Sequence, residues 1–185
     1  MARQARGRVE AGRYHVRTRS AGKIPYFTDD IGRTDFCNRV ARVTTKYSWR
    51  CEAFCLMTTH YHLLLDVPEN TLQRGMHWLN GTYAQQFNRR HGRWGHLAGA
   101  RYTITAIGSL RQLRNAFRYI VRNPVEAGMC ERPQDYVWSS YRGTAGYDGG
   151  FWFVDDRELV GYYGPDRPRA QRRLRRFVER DVTDP

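Results

Sequence analysis

Two histidines separated by a single residue are the first side chains in this sequence whose type and spacing could support chemistry. His60 and His62 stand at the start of an apolar run, 61–67, that predicts a β-strand. Alternate side chains of a strand point to one face of the sheet, so both imidazoles would face the same way. Such a pair could bind a divalent metal ion together with a third ligand. The alternative is a pair of ordinary half-buried histidines.

A tyrosine and an asparagine one helical turn apart form the second candidate pair. Tyr119 and Asn123 fall in a segment that predicts a helix, and Asn115 extends the face that they share. This face points away from the apolar stripe of the same helix, which consists of Leu110, Leu113, Phe117 and Ile120. Tyr119 is therefore not an obvious core residue, although most of the chain's 12 tyrosines must be structural.

The elements that must position these pairs follow one another in a regular order. Hydrophobic patterns predict strands at 12–19, 49–57, 61–67 and 102–107. Three helices are predicted to begin at capping residues, namely Asp29 or Asp30, Asn70 and Ser109. The second helix is expected to end at Gly92 and the third at Pro124.

This order, β-α-β-β-α-β and then a helix, predicts an α+β fold of the ferredoxin-like, split βαβ type. The sheet would be antiparallel, with two helices on one face and the other face free for a ligand. The helix that follows the sheet carries Tyr119 and Asn123.

The positive charge of the chain indicates a negatively charged partner. The formal net charge is +13 and the pI is about 10.1, with arginine far more common than lysine. Arginine binds phosphate oxygens in pairs, so nucleic acid is the first candidate. The alternative is a solvated basic surface from an arginine-rich proteome.

The location of the chain is predicted from its apolar runs and cysteines. No apolar run is long enough for a membrane span, and the N-terminal residues do not match a secretory signal. The four cysteines, Cys37, Cys51, Cys55 and Cys130, are therefore expected to be reduced thiols in a cytoplasmic protein.

Four segments together resemble the REP-associated tyrosine transposases, a group of the HUH single-tyrosine transposases. They are FCLMTTHYHLLL at 54–65, LNGTYAQQFNRRHGRWGHL at 79–97, YIVRNPVEAGM at 119–129 and WSSY at 138–141. These motifs stand in the order and spacing of the family, over a region from about Tyr14 to Arg142. Four ordered motifs are far more specific than any one of them.

The resemblance implies a metal-dependent endonuclease and strand transferase that acts on single-stranded, hairpin-forming repeat DNA. It implies that His60, His62 and Asn123 bind the cation and that Tyr119 attacks a DNA phosphate to give a 5′-phosphotyrosine. Mg²⁺ or Mn²⁺ would suit these ligands, and Mn²⁺ is the better match to imidazole. Residues 1–147 would form the catalytic domain with its basic N-terminal arm, and residues 148–185 a basic extension.

The predicted DNA contacts are arginines and one tryptophan. Those of the N-terminal region are Arg3, Arg6, Arg8, Arg13, Arg17 and Arg19. Those after the second helix are Arg89, Arg90, Arg93 and Trp94. The alternatives are a solvated arm and, for Trp94, a cap on the core. The arginine-rich tail predicts a short helix that docks through Leu174, Phe177 and Val178.

Other functions compete with this prediction. A DNA-binding protein that recognises hairpins without cleaving them is the main alternative, but it would have no need for the full set of candidate residues. An RNA-binding ferredoxin-like module would leave the tyrosine and asparagine unexplained. A rolling-circle replication initiator shares the chemistry but not the other motifs. The expected assembly is a monomer or a homodimer.

Overall fold

An antiparallel sheet of four strands forms the centre of the structure, a computed structural model that describes residues 9–22, 24–99 and 101–180. The strands are β1 (Gly12–Arg19), β2 (Arg50–Leu56), β3 (His60–Val67) and β4 (Thr103–Ile107), in the spatial order β2-β3-β1-β4. The helices are α1 (Asp30–Tyr47), α2 (Leu72–Arg90), α3 (Leu110–Glu126), α4 (Tyr141–Thr144), α5 (Arg157–Gly161) and α6 (Arg167–Glu179). The predicted α+β, ferredoxin-like architecture is confirmed.

Side-chain caps fix the starts of α1 and α3, as predicted. The Asp29 carboxylate accepts a hydrogen bond of 2.8 Å from the backbone N–H of Gly32. The Ser109 hydroxyl accepts one of 3.2 Å from the N–H of Gln112. Each bond satisfies a donor that the first helical turn would otherwise leave unpaired.

Two predicted helix boundaries are wrong. Asn70 does not cap α2, because it adopts a left-handed φ of 60° and Thr71 takes the cap position. Asparagine tolerates this conformation better than most residues, so it serves the turn instead of the helix. Pro124 does not end α3, which continues to Glu126. The missing proline N–H costs only one bond in the last turn, and the ring itself is buried.

The first apolar layer lies between the sheet and the helices α1 and α2. From β3 it contains Tyr61, Leu63 and Leu65, which are all fully buried. The stripe of α2 predicted from sequence faces them and is buried throughout: Leu72, Met76, Leu79, Tyr83 and Phe87. This layer fixes the orientation of β3, so its alternate side chains, which include His60 and His62, point to the opposite face.

The opposite face is not wholly free, which corrects the prediction from sequence. Over β2 and β3 it is covered by α3, because apolar side chains there need a partner. Ala53, Cys55 and Leu64 form a second buried cluster with residues of α3, α5 and α6. The α6 residues in it include Leu174 and Val178, with Phe177 partly buried beside them.

The segment after α3 closes the edge of the sheet beside β2. The carbonyl of Trp138 accepts a hydrogen bond of 2.9 Å from the N–H of Leu56. The Ser140 hydroxyl accepts one of 3.1 Å from the N–H of Phe54. The WSSY motif therefore satisfies an edge strand that would otherwise expose its backbone donors.

Neither disulfides nor membrane spans were found in the described part of the chain. Cys37, Cys51 and Cys55 are free and buried, and Cys130 is free and partly exposed. No helix in residues 9–22, 24–99 and 101–180 has the length and apolar character needed to cross a membrane.

Candidate active site

Three imidazoles meet on the face of the sheet opposite α1 and α2. His60 and His62 of β3 share this face, as the alternation of the strand predicts, and their ring centres are 5.1 Å apart. His15 of β1 joins them. Its Nε2 lies 2.8 Å from Nδ1 of His62, and the two rings meet edge to edge, with centres 5.0 Å apart and 21° between their planes. His62 has no exposed surface, so its ring position is fixed by these neighbours.

Tyr119 of α3 reaches the same cluster. Its ring lies edge-on to His62 at 5.7 Å and to His15 at 5.8 Å between centres. Phe117 and Ile120 on the buried side of α3 hold the helix against the sheet, whereas Tyr119 is 54% exposed. The phenol is therefore both next to the imidazoles and open to a large substrate.

Burial keeps the imidazoles neutral. The pKa of His62 is lowered to about 2, chiefly by burial and also by the nearby His15, His60 and Arg17. Burial also lowers the pKa of His15 and of His60 to about 4, again with a contribution from the positive charge of Arg17. Neutral imidazoles have a free lone pair, which is the form that binds a metal ion.

Two arginines of β1 face the histidines across the strand pair. Arg17 is the register partner of His62, and Arg19 is that of His60, so all four side chains share one face. The Nε atom of Arg17 is buried and has no hydrogen-bond partner among the described residues. This donor is therefore not committed to another group in the described structure.

The residues at the centre fit a divalent cation. The Nε2 atom of His62 is buried and has no partner within the described parts of the chain. Asn123 follows Tyr119 by one turn, and its amide nitrogen donates to the Tyr119 carbonyl at 2.6 Å. The amide oxygen of Asn123 is then the side-chain atom able to hold a cation. Among the same residues no group of three His, Cys, Asp or Glu side chains could hold a metal, so the set predicted from sequence would depend on this amide oxygen as its third ligand.

The other predicted DNA contacts of the N-terminal region have different surroundings. Arg13 donates to Glu52 at 2.5 and 2.8 Å and to Glu158 at 2.7 Å, so its donors already bond to protein carboxylates. Arg19 is exposed at the end of β1. Arg3, Arg6 and Arg8 lie outside the described residues.

The predicted DNA contacts at the end of α2 also differ in exposure and in hydrogen bonding. Arg90 forms a two-pronged ion pair with Asp29, with bonds of 2.8 and 2.7 Å, whereas Arg89 is exposed. The Nε atom of Arg93 is buried and unpaired among the residues that the structure describes. Trp94 is 94% exposed, so the alternative that it caps the core is wrong.

The segment after Trp94 returns to the end of the sheet where His60 and His62 lie. The N–H of Gly99 donates to the carbonyl of Arg19 at 3.1 Å, and the N–H of Ala21 donates to the carbonyl of Leu97 at 2.8 Å. Since Arg19 pairs with His60 across the strands, this exposed tryptophan belongs to the same end of the sheet as the histidine pair.

The C-terminal helix holds α3 in place. Arg122 donates to the carbonyl of Val178 at 3.0 Å, and Arg118 donates to the carbonyl of Arg180. The guanidinium of Arg114 lies 4.6 Å from the ring centre of Phe177. These contacts fix α3 along its length, and with it the position of Tyr119 over the sheet.

His15 is the residue of the cluster that sequence reasoning missed. The alternation of residues 12–19 places the side chains of Arg13, His15, Arg17 and Arg19 on one face. That pattern was visible in the sequence, and pairing of β1 with β3 in a ferredoxin-like sheet would have brought His15 beside the histidine pair.

Comparison with known proteins agrees with the resemblance seen in the sequence. A Haemophilus influenzae protein described as a REP-associated tyrosine transposase is 27% identical over 127 residues, which cover 63% of this chain and 71% of that protein. A solved structure of a REP-associated tyrosine transposase bound to a REP hairpin shares the fold, with a TM-score of 0.65 and 17% identity over 84% of this chain and 93% of the other. Residues 8–123, more than half of the 185-residue chain, match the family described as "Transposase IS200 like". The chain therefore belongs to the IS200-like transposase family.

Proposed function

We propose that this protein is a metal-dependent endonuclease and strand transferase for single-stranded, hairpin-forming DNA. The observation that carries the proposal is the contact between an exposed tyrosine and the buried member of the histidine pair, with Tyr119 and His62 5.7 Å apart between ring centres. Membership of a transposase family supports DNA as the substrate, and the net charge of +13 supports a polyanionic partner. The REP hairpin bound by the structural relative supports a hairpin as the form of that DNA.

Tyr119 supplies the nucleophile in this proposal. Its phenol oxygen attacks the phosphorus of a phosphodiester, its proton passes to water, and the bond from phosphorus to the 3′ oxygen breaks. The products are a 5′-phosphotyrosine and a strand end whose 3′ oxygen takes a proton from water. Because the new ester conserves the energy of the old one, another 3′-hydroxyl can displace Tyr119 and join the strands without ATP.

His60, His62 and the amide oxygen of Asn123 would hold a divalent cation, Mg²⁺ or Mn²⁺. When bound, the cation would supply charge neutralisation at a non-bridging phosphate oxygen. His62 is suited to this role because its buried Nε2 has no partner among the described residues. The low pKa values of His60 and His62 keep both ligands neutral at pH 7.

Arg17 and Arg19 would orient the phosphate that Tyr119 attacks. Both lie across the strand pair from the histidines, and the Nε donor of Arg17 is unpaired in the described structure. Guanidinium groups bind phosphate oxygens in two-pronged geometry, which fixes the direction of the phosphorus as well as its distance. Trp94 and Arg89, both exposed, would contact the strand farther from the cut.

Covalent capture tests the proposal. The full chain is incubated with end-labelled single-stranded hairpin DNA and Mn²⁺ and analysed on a denaturing gel, with excess EDTA and the matched perfect duplex as controls. We expect a covalent protein–DNA band with the hairpin, none with EDTA, and none with the duplex, whose stacking hinders in-line approach to phosphorus.

Three results would contradict parts of this proposal. Hairpin binding on a native gel without any covalent band would identify a binder without cleavage. A band that survives EDTA would remove the metal from the mechanism. Equal reaction of duplex and hairpin would identify an ordinary duplex nuclease.

A further inference from the structure

We propose that His15 is a positioning residue, which accepts a hydrogen bond from Nδ1 of His62 and so directs the Nε2 lone pair of His62 toward the metal ion. This inference rests on the proposed function, because it concerns the cation that His60 and His62 would hold. Its basis is the distance of 2.8 Å between Nε2 of His15 and Nδ1 of His62.

A nitrogen-to-nitrogen contact of this length requires one shared proton. Two N–H groups would repel each other at 2.8 Å, and so would two lone pairs. A positive charge on either ring is disfavoured, because His62 is completely buried and Arg17 stands directly across from it. The contact is therefore a bond between two neutral imidazoles, one of which donates.

The surroundings of His62 decide which ring donates. If His15 donated, His62 would carry its own proton on Nε2, a buried atom that has no partner among the described residues. A buried N–H without an acceptor costs roughly 1–3 kcal/mol. If His62 donates from Nδ1, Nε2 instead presents a lone pair, which is what a metal ion requires. Only in the second arrangement can a bound cation become the missing partner of Nε2.

The geometry assigns His15 to support of the ligand and not to direct metal binding. The Nε2 atom of His15 is already used in the bond to His62, and the two ring planes lie within 21° of each other with centres 5.0 Å apart, as an in-plane hydrogen bond requires. In agreement, the part of the chain that the structure describes contains no metal-binding group of three His, Cys, Asp or Glu side chains. The ring of His15 also lies 5.8 Å from that of Tyr119 between centres, so His15 is next to the nucleophile as well as to the ligand.

The unaltered protein offers the first test. Long-range ¹H–¹⁵N spectra of metal-free protein distinguish imidazoles protonated on Nδ1 from those protonated on Nε2. We expect His62 to be protonated on Nδ1 and His15 also on Nδ1, since His15 must accept through Nε2. A spectrum with His62 protonated on Nε2 would overturn the proposal.

Two substitutions with opposite predictions offer the second test. His15→Leu removes the acceptor, and the affinity for Mn²⁺, measured by electron paramagnetic resonance without DNA, should fall by about 10- to 100-fold. His15→Gln places an amide oxygen near the former Nε2 and should restore most of that affinity. His77→Gln, an exposed position on α2, is the matched control and should bind Mn²⁺ like the native chain. Thermal unfolding of each metal-free variant shows whether it is folded.

The outcomes separate this inference from the proposed function. No Mn²⁺ binding by the native chain would contradict the metal site itself. Native binding that is unchanged in a folded His15→Leu variant would overturn the role of His15. A folded His15→Gln variant as weak as His60→Ala would show that His15 is itself a ligand, and would overturn positioning as well.

Discussion

His62 has no exposed surface, and its ring contacts three other rings, those of His15, His60 and Tyr119. A charged imidazole there would lose its hydration and lie beside Arg17, so the neutral form is strongly favoured. The same burial that prepares a metal ligand therefore makes the folded state sensitive to acid.

Stability should fall in mild acid because of this cluster. The unfolded chain takes up protons on these histidines below their ordinary pKa of 6.5, whereas His62 in the folded chain stays neutral to about pH 2 and His15 and His60 to about pH 4. The contribution is complete above pH 6.5 and is lost as the pH falls, by at most about 1.4 kcal/mol per pH unit for each histidine.

Urea unfolding between pH 7 and pH 5 in EDTA measures this dependence. His62→Gln should reduce the slope of unfolding free energy against pH, and the exposed control His77→Gln should keep the native slope. An unchanged slope in a folded His62→Gln variant would mean that His62 takes up a proton as readily in the folded protein as in the unfolded chain.

Single residues were predicted unevenly from the sequence. His60 and His62 are marked by their spacing, and Tyr119 by its helix face and the resemblance to a family. No spacing or motif in the sequence identifies His15, because it reaches the other histidines only when β1 pairs with β3. The ion pairs of Arg13 and Arg90 depend on carboxylates far away in the chain, so sequence alone counted both arginines as free.

At the scale of elements, α2 must approach the sheet closely to support β3. Gly75 allows this approach, because a Cβ there would lie 2.1 Å from Cζ2 of the Trp49 indole. The Trp49 ring is held by a hydrogen bond of 2.9 Å from its Nε1 to the Thr71 hydroxyl, so it cannot readily move aside.

Two glycines of α2 should respond to alanine in opposite directions. Gly75→Ala should lower the free energy of unfolding by about 1–3 kcal/mol through overpacking against Trp49. Gly81→Ala, which meets no atom within 4 Å, should raise it by about 0.5–1 kcal/mol through helix propensity. Chemical denaturation of both variants checks this, and a neutral Gly75→Ala would show that the helix and Trp49 are not in firm contact.

The order of the elements followed from the sequence, whereas some boundaries and one covered face did not. Apolar periodicity identified the strands and α1 to α3, because burial against a sheet imposes it. The prediction that α3 ends at Pro124 was wrong because a proline in the final turn lowers helix stability only slightly when its ring is buried. The cover over β2 and β3 was missed because Ala53, Cys55 and Leu64 show their apolar face only in the register of the finished sheet.

Over the whole molecule, some arginines form ion pairs within the protein and others remain available to bind DNA. Several arginines are bound to carboxylates, whereas α6 presents exposed arginines, among them Arg169, Arg172, Arg173 and Arg176. The N-terminal arm adds Arg3, Arg6 and Arg8 just before Val9, whose carbonyl accepts a 2.9 Å bond from the N–H of Asn70. The arm can therefore be removed at residue 8 without loss of that anchor.

Removal of residues 1–8 should weaken hairpin binding and lower the slope of log affinity against log salt by roughly two to three units, since three arginines release counterions. The control replaces Arg172, Arg173 and Arg176 of α6 by glutamine and removes the same charge. Binding across a salt series gives both slopes. If only the α6 variant changes its slope, the DNA lies along α6 and the arm does not contact it.

The most direct test of Tyr119 as the nucleophile is to identify the residue that becomes covalently linked to DNA. Hairpin DNA is reacted with the native chain and with Tyr119→Phe, which removes only the hydroxyl, and the digested adducts are analysed by mass spectrometry. The proposed role of Tyr119 predicts a nucleotide on the peptide that contains this residue, and no adduct from a Tyr119→Phe variant that still binds the hairpin. An adduct on any other tyrosine, or one that persists in Tyr119→Phe, would contradict it.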